Sequence, residues 1–373
     1  MTIEVRPVSQ KEMSAFIHFP WRIYRGDKNW VPPLLFDMRR RFSPKKHPWF
    51  DHSQAGMFLA YKDGEPVGRI TAQVDANYDK HWGPGTGHFG WFETIDDQQV
   101  AGALFDAAAG WLRGQGRSKM MGPLNWNINE ESGLLIDAFD TPPMCLMTYN
   151  PSYYPPMFER AGFGKVQDLY AYRLDSSVDA PDDVRNFAEL IRKKEGIVIR
   201  QWRMNDWKRE MKLFREVYNS AWEQNWGSVL LTEKELADQE LELRLLMEPR
   251  LAFFAETTDG KVMGMSLTLP NFNEYFQKLD GRLWKLLPSL WYGMLVKKRY
   301  LSCRVFVLGV KSEFRRSGVG AVFYHDTLMA AKRLGYQWGE MSWILESNDK
   351  MNRAIQHMGG KVYKTYRVYE KAI

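Results

Sequence analysis

Short apolar runs separated by turn signals organise this chain. At 58–68 the run Phe58-Leu59-Ala60-Tyr61 meets Asp63-Gly64 and resumes at Val67-Gly68; at 254–264 Phe254-Ala255 meets Asp259-Gly260 and resumes at Val262-Met263-Gly264. An Asp-Gly pair between apolar runs predicts two strands joined by a tight hairpin turn. The two hairpins lie 196 residues apart, and the same offset links Asn29-Trp30 to Asn225-Trp226. Short strands open both halves at 3–6 and 198–200. Downstream, 150–163 parallels 348–360, and 165–170 echoes 361–366. Stations matched in one preserved order predict a duplicated domain.

Each half is expected to run strand, helices, hairpin strands, a fourth strand, helix, strand, helix, strand. In the second half these include a strand at 304–310, a helix at 322–334, a strand at 340–345 and a helix at 348–358. That order predicts an α/β (α+β) fold with a mixed sheet covered by helices, in two tandem copies. The expected boundaries are 1–175 for the first copy, 176–195 for a linker rich in Ser, Asp and Pro with a helix near 184–194, and 196–373 for the second. A length of 373 residues suits two domains better than one.

Composition changes this picture little. The chain is 45% apolar and 26% charged, and its 15 Trp, 17 Tyr and 21 Phe suit cores and domain interfaces more than stacking surfaces. A net charge of +6 favours anionic partners, with coenzyme A, nucleic acid and anionic lipid all admissible. The basic clusters at Arg39-Arg40-Arg41 with Lys45-Lys46 and at Lys297-Lys298-Arg299 come without a nucleic-acid fold motif, so nucleic acid is not an expected partner. Cys145 and Cys303 do not make a disulfide scaffold. The start of the chain lacks a signal-peptide pattern and no stretch is long enough to span a membrane, so a cytoplasmic protein is expected. The histidines are not spaced as metal ligands, and no metal is expected.

The chemistry concentrates in one loop. The predicted strand at 304–310 leads into Arg315-Arg316-Ser317-Gly318-Val319-Gly320, and a helix follows at once. Glycines there let backbone N–H groups converge on an anion at a helix N-terminus, with the arginines adding charge. The spacing is neither a nucleotide P-loop nor a dinucleotide fingerprint. The alternative is a tight strand-to-helix turn. The Arg-x-x-Gly-x-Gly pattern resembles the pyrophosphate loop of the GCN5-related N-acetyltransferase (GNAT) superfamily. Glu346-Ser347-Asn348, followed by a helix and Gly359-Gly360, resembles that family's asparagine-bearing helix; Gly360 stands where the family has phenylalanine, and Ile355 where many members have a tyrosine acid.

The resemblance spans both halves and implies an acyl-CoA-dependent N-acyltransferase, acetyl-CoA or a longer acyl-CoA being the co-substrate and a small primary amine the acceptor. It implies cofactor contacts at Leu308, Gly309 and Val310 on the fourth strand, where Gly309 is expected to mark a bulge. Further cofactor contacts are expected at Arg315, Arg316, Ser317, Gly318, Val319, Gly320 and Asn348. Glu346 is expected as base, with Glu340 as its alternative, and Tyr366 as acid, with Tyr363 as its alternative. In the first half, Glu93, Asp96 and Asp97 replace the loop, which predicts a degenerate copy that holds no CoA. The stretch 283–299, absent from small family members, is expected as a lid, a membrane-surface helix with a basic end, or a packing element. A tRNA-dependent aminoacyl transferase of the peptidoglycan-bridge type and a CoA-sensing binding module remain the alternative functions.

Overall fold

A computed structural model describes residues 2–194 and 196–373. The chain forms two compact units, and each borrows from the other half of the sequence. Unit 1 comprises Met1–Leu169, Phe276–Lys285 and Lys364–Ile373; unit 2 comprises Tyr170–Tyr275 and Leu286–Tyr363. Where the repeat divides the chain near 175, the compact units thus exchange terminal strands.

Unit 1 begins with β1 (Ile3–Pro7), the short helices α1 (Met13–His18), α2 (Pro20–Ile23) and α3 (Leu35–Arg41), and the hairpin β2 (Ser53–Lys62) and β3 (Glu65–Asp75). Asp63 and Gly64 both adopt positive φ in its turn, the backbone state an Asp-Gly hairpin turn requires. There follow α4 (Ala76–Trp82), β4 (Thr86–Thr94), α5 (Gln98–Gly114), β5 (Lys119–Gly122), β6 (Leu134–Leu135), α6 (Tyr154–Arg160) and β7 (Gly164–Asp175), whose second half belongs to unit 2. β1 to β5 run in sequence order, with β4 and β5 parallel. Ile70, Phe89, Phe92, Leu104, Phe105 and Phe158 fill the layer between sheet and helices, each contributing roughly 2 kcal/mol by burial. Asp97 accepts from the Gln99 amide and so caps α5, where unit 2 has its glycine loop.

Unit 2 contains α7 (Asp182–Lys193), β8 (Ile197–Gln201), α8 (Trp207–Trp222), α9 (Glu233–Leu246), the hairpin β9 (Ala252–Thr257) and β10 (Val262–Pro270), and α10 (Asn273–Phe276), whose last residue falls in unit 1. After these come α11 (Pro288–Trp291), β11 (Ser302–Val310), α12 (Val319–Arg333), β12 (Trp338–Leu345), α13 (Asp349–His357) and β13 (Lys361–Ala372), which ends in unit 1. There its last residues pair antiparallel with β5.

Strand register locates the insertion. Gly68 pairs with Thr94 and Gly264 with Val310, so the repeat offset rises from 196 at the hairpins to 216 at the fourth strands. About 20 residues have therefore been added just before β11, which accommodates the 283–299 stretch. Among the described residues no helix is long and apolar enough to cross a membrane.

Candidate functional site

The site starts from a fork in the sheet of unit 2. β11 and β12 pair in parallel from Ser302↔Trp338 to Val305↔Met341 and no further. Beyond that rung, among the described residues, β11 keeps only its antiparallel partner β10. The register places the bulge at Phe306, because Thr268 faces Val305 while Leu267 faces Val307. The bulge expected at Gly309 therefore lies three residues earlier. Gly309 is needed for close packing instead: a Cβ there would fall 2.5 Å from the Trp222 ring at the end of α8. Leu308, Gly309 and Val310 thus lie on the length of β11 whose edge toward β12 is unpaired. An open strand edge presents N–H and C=O groups to an extended ligand.

Past Val310 the chain turns through the loop. Lys311 is buried and pairs with Glu216 at 2.9 Å and Glu313 at 3.2 Å; burial lowers its pKa, but those two carboxylates outweigh it and the net shift is upward. Its charge is therefore committed within the protein. Arg315 and Arg316 are exposed. Gly318, at φ +86°, is the residue before α12. Of the amides entering that helix, Val319 bonds to Ser317 Oγ at 3.3 Å and Ala321 to the Gly318 carbonyl at 3.1 Å. The N–H groups of Gly318 and Gly320 enter no hydrogen bond among the described residues. Gly320 also has open space where a Cβ would stand. Two unengaged amides, a helix N-terminus and two exposed guanidiniums form a donor set suited to a diphosphate.

At the closed end of the fork lies a buried polar network. Arg304 and Glu340 face each other on β11 and β12 and are almost fully buried. Ser342 links them, donating to Glu340 Oε1 at 2.6 Å and accepting from Arg304 Nε at 2.8 Å. The Tyr363 hydroxyl donates to the second oxygen, Oε2. Buried charges persist only when paired and hydrogen-bonded, and this carboxylate meets both conditions. Arg304 and Ser342 were not singled out from sequence, although a charge inside the run Cys303-Arg304-Val305-Phe306-Val307 was the available signal.

Three further expected residues have settings of their own. Glu346 is half-buried in the turn after β12, and its carbonyl accepts from Asn352 Nδ2 at 3.1 Å. Asn348 caps α13, its side chain accepting from the Met351 amide at 3.3 Å. Tyr366 is fully buried in unit 1.

Unit 1 holds a second set of buried ionisable groups. On β4, Glu93 accepts hydrogen bonds from Tyr24 at 2.9 Å and Tyr154 at 2.8 Å on one oxygen, while Arg69 stands 3.9 Å from the other. Burial pushes the Glu93 carboxyl up to about 7, against the pull of Arg69 and both tyrosines. His88, earlier on β4, has no hydrogen-bond partner among the described residues at either ring nitrogen, and burial drives its pKa down to about 4. In sequence Glu93 reads as one of the acidic residues, with Asp96 and Asp97, that replace the loop; the structure instead packs it among tyrosines.

No protein-family model matches the chain. Two curated proteins are similar to it along nearly its whole length. The bacterial ceramide synthase of Caulobacter vibrioides is 39% identical over 380 residues, covering 100% of this chain and 98% of its own. Protein YghO of Escherichia coli is 37% identical over 374 residues, covering 98% of this chain and 94% of its own. Among solved structures, a tandem GNAT protein from the clavulanic acid biosynthesis pathway superposes with a TM-score of 0.58 at 12% identity, covering 100% of this chain and 98% of that one. A GCN5-related N-acetyltransferase from Sphaerobacter thermophilus gives 0.53 at 13% identity, covering 99% and 95%. The strand order, the fork and these likenesses agree: the chain has the tandem GNAT fold of N-acyltransferases and belongs to the same family as the bacterial ceramide synthase of Caulobacter vibrioides and protein YghO.

Proposed function

We propose that this chain is an acyl-CoA-dependent N-acyltransferase that joins a fatty acyl group to the primary amine of a long-chain amino alcohol. The observation that carries the reading is the loop Arg315-Arg316-Ser317-Gly318-Val319-Gly320, with two unengaged amides, at the end of an opened strand. The name of the 39%-identical relative moves the acyl group from acetyl toward a fatty chain, because a ceramide is the amide of a fatty acid and a long-chain amino alcohol.

The residues present fit a CoA ester. Gly318 and Gly320 would hold its diphosphate through their amides, with Arg315 and Arg316 adding charge, and the free edge of Leu308-Gly309-Val310 would take the extended arm. When bound, the ester supplies an activated acyl thioester. The chain's own contribution includes proton handling: Tyr363, hydrogen-bonded to the buried Glu340, holds a proton at its hydroxyl beside the last rung of the fork. We favour this pair over Glu346, which lies five residues beyond that rung, and a Glu346→Gln variant with undiminished turnover would support the preference. Donors fixed before reaction need no reorganisation during it.

The test is incubation of purified protein with palmitoyl-CoA, or separately acetyl-CoA, and a long-chain amino alcohol, followed by mass spectrometry. The reading expects the palmitoyl amide with release of one thiol per amide. Thiol release without amide, or amide formed from acetyl-CoA alone, contradicts it.

A further inference from the structure

The inserted stretch before β11 has a built inner face and an apolar outer one. Inside, Met294 is buried, and a Cβ on Gly293 would lie 2.9 Å from the Tyr275 hydroxyl. That hydroxyl donates to the Arg299 carbonyl at 2.7 Å, and Tyr300 donates to the Met294 carbonyl at 3.0 Å. The Lys298 ammonium is held by the Met247 carbonyl at 2.7 Å. The stretch is thus fastened to unit 2 through its small and polar groups.

Outside, the arrangement runs against ordinary burial. Leu287, Trp291, Tyr292, Val296 and Leu301 are each between 46% and 60% exposed. Leu287 immediately precedes α11 and Trp291 ends it, while Tyr292 and Val296 bound the wide helical turn that continues it. A single exposed leucine needs no explanation, but several large apolar side chains exposed on one short stretch mark an interaction surface. Packing within the chain, one of the three expectations for this stretch, does not account for residues this exposed.

The charge pattern selects the partner. Positions 281–301 carry Arg282, Lys285, Lys297, Lys298 and Arg299 and no acidic residue; Lys297 and Arg299 are exposed. Tryptophan and tyrosine favour the boundary between lipid headgroups and acyl chains, and cations favour an anionic leaflet. α11 and the helical turn Tyr292–Val296 that continues it, four and five residues long, are together too short to span a bilayer but long enough to lie in its surface.

We propose that 286–301 is a membrane-surface anchor that inserts Leu287, Trp291, Tyr292 and Val296 into an anionic bilayer, with Lys297 and Arg299 at the headgroups. The inference deepens the proposed function by giving apolar substrates a surface from which to be taken, yet vesicle binding requires neither acyl-CoA nor an amine.

The test is co-sedimentation of the full chain with phosphatidylcholine vesicles, with and without about one third phosphatidylglycerol. The wild type should bind the anionic vesicles at least tenfold more tightly than the neutral ones and lose that preference in high salt. Trp291→Asp with Tyr292→Asp should abolish binding, while Lys297→Glu with Arg299→Glu should remove only the anionic preference. Circular dichroism checks that both variants fold; if the first does not, Leu287→Ser replaces it and should weaken binding severalfold. Equal binding to both vesicle types, undiminished binding by the folded variants, or a concentration-dependent dimer that the Asp variant dissociates while vesicles fail to bind would each overturn the proposal. Loss of acyl transfer with intact vesicle binding would count against the proposed reaction alone.

Discussion

A side-chain carbon on Gly318 would fall 2.6 Å from Cδ1 of Ile191, so this position of the loop before α12 favours glycine while α7 packs beside it. Ala188, Ile191 and Val322 form the small core that joins the two helices. Gly318 also sits at φ +86°, which disfavours any side chain by about 1–2 kcal/mol. The linker helix and the candidate diphosphate loop are therefore one packed unit.

That packing separates two glycines that look alike in sequence. Gly318→Ala is expected to lower stability by about 1–3 kcal/mol through strain and overpacking. Gly320→Ala has open space and should fold as the wild type does. Thermal unfolding of both variants checks this; equal midpoints would mean that α7 does not pack on the loop as described.

The network at the fork makes an asymmetric prediction. Arg304→Met leaves Glu340 buried without its cation, which costs about 3–5 kcal/mol. Tyr363→Phe removes one hydrogen bond from Glu340 and should cost only about 1–2 kcal/mol, while lowering the rate of acyl transfer on the order of a hundredfold. Denaturant melts with single-turnover rates separate the two effects. Full activity in a folded Tyr363→Phe variant would remove Tyr363 from the mechanism.

Glu93 and His88 should give the protein opposing pH dependences. The folded-state pKa of Glu93 is about 7 against an ordinary 4.5, so the folded protein binds this proton more tightly than the unfolded chain. Its contribution is full below about pH 4.5 and is lost as pH rises through 7, on the order of 3 kcal/mol across the window. His88 is lowered from 6.5 to about 4, so its contribution is present above pH 6.5 and is lost as pH falls through 4. Comparing melting temperatures of the wild type and Glu93→Gln between pH 4.5 and 7.5 isolates the first slope. A difference that stays constant with pH would mean that Glu93 is ionised throughout.

The repeat was legible because hairpin turns and glycines have local requirements that survive duplication: Asp63-Gly64 and Asp259-Gly260 sit in corresponding hairpins. The glycine-rich turn before α12 was legible for the same reason, since its glycines and arginines stand consecutively in the sequence. Gly309 suggests a bulge because glycine often marks one, whereas the register assigns the irregularity to Phe306 and uses Gly309 for contact with Trp222. Networks such as Arg304–Ser342–Glu340–Tyr363 and Glu93–Tyr24–Tyr154 join residues from different elements. Such networks are properties of strand pairing and helix packing, which no local window contains. The exchange of terminal strands between the units was hidden too, because β7 and β13 each read as one uninterrupted strand.

The central claim is that Arg315 to Gly320 binds the diphosphate of a long-chain acyl-CoA, and calorimetric titration with palmitoyl-CoA tests it most directly. The wild type should bind one equivalent per chain, and Gly320→Glu, which has room to fold, should bind at least tenfold more weakly by placing a carboxylate among the phosphate donors. Binding of equal strength by a folded Gly320→Glu variant, or a second equivalent in the wild type, would contradict the account.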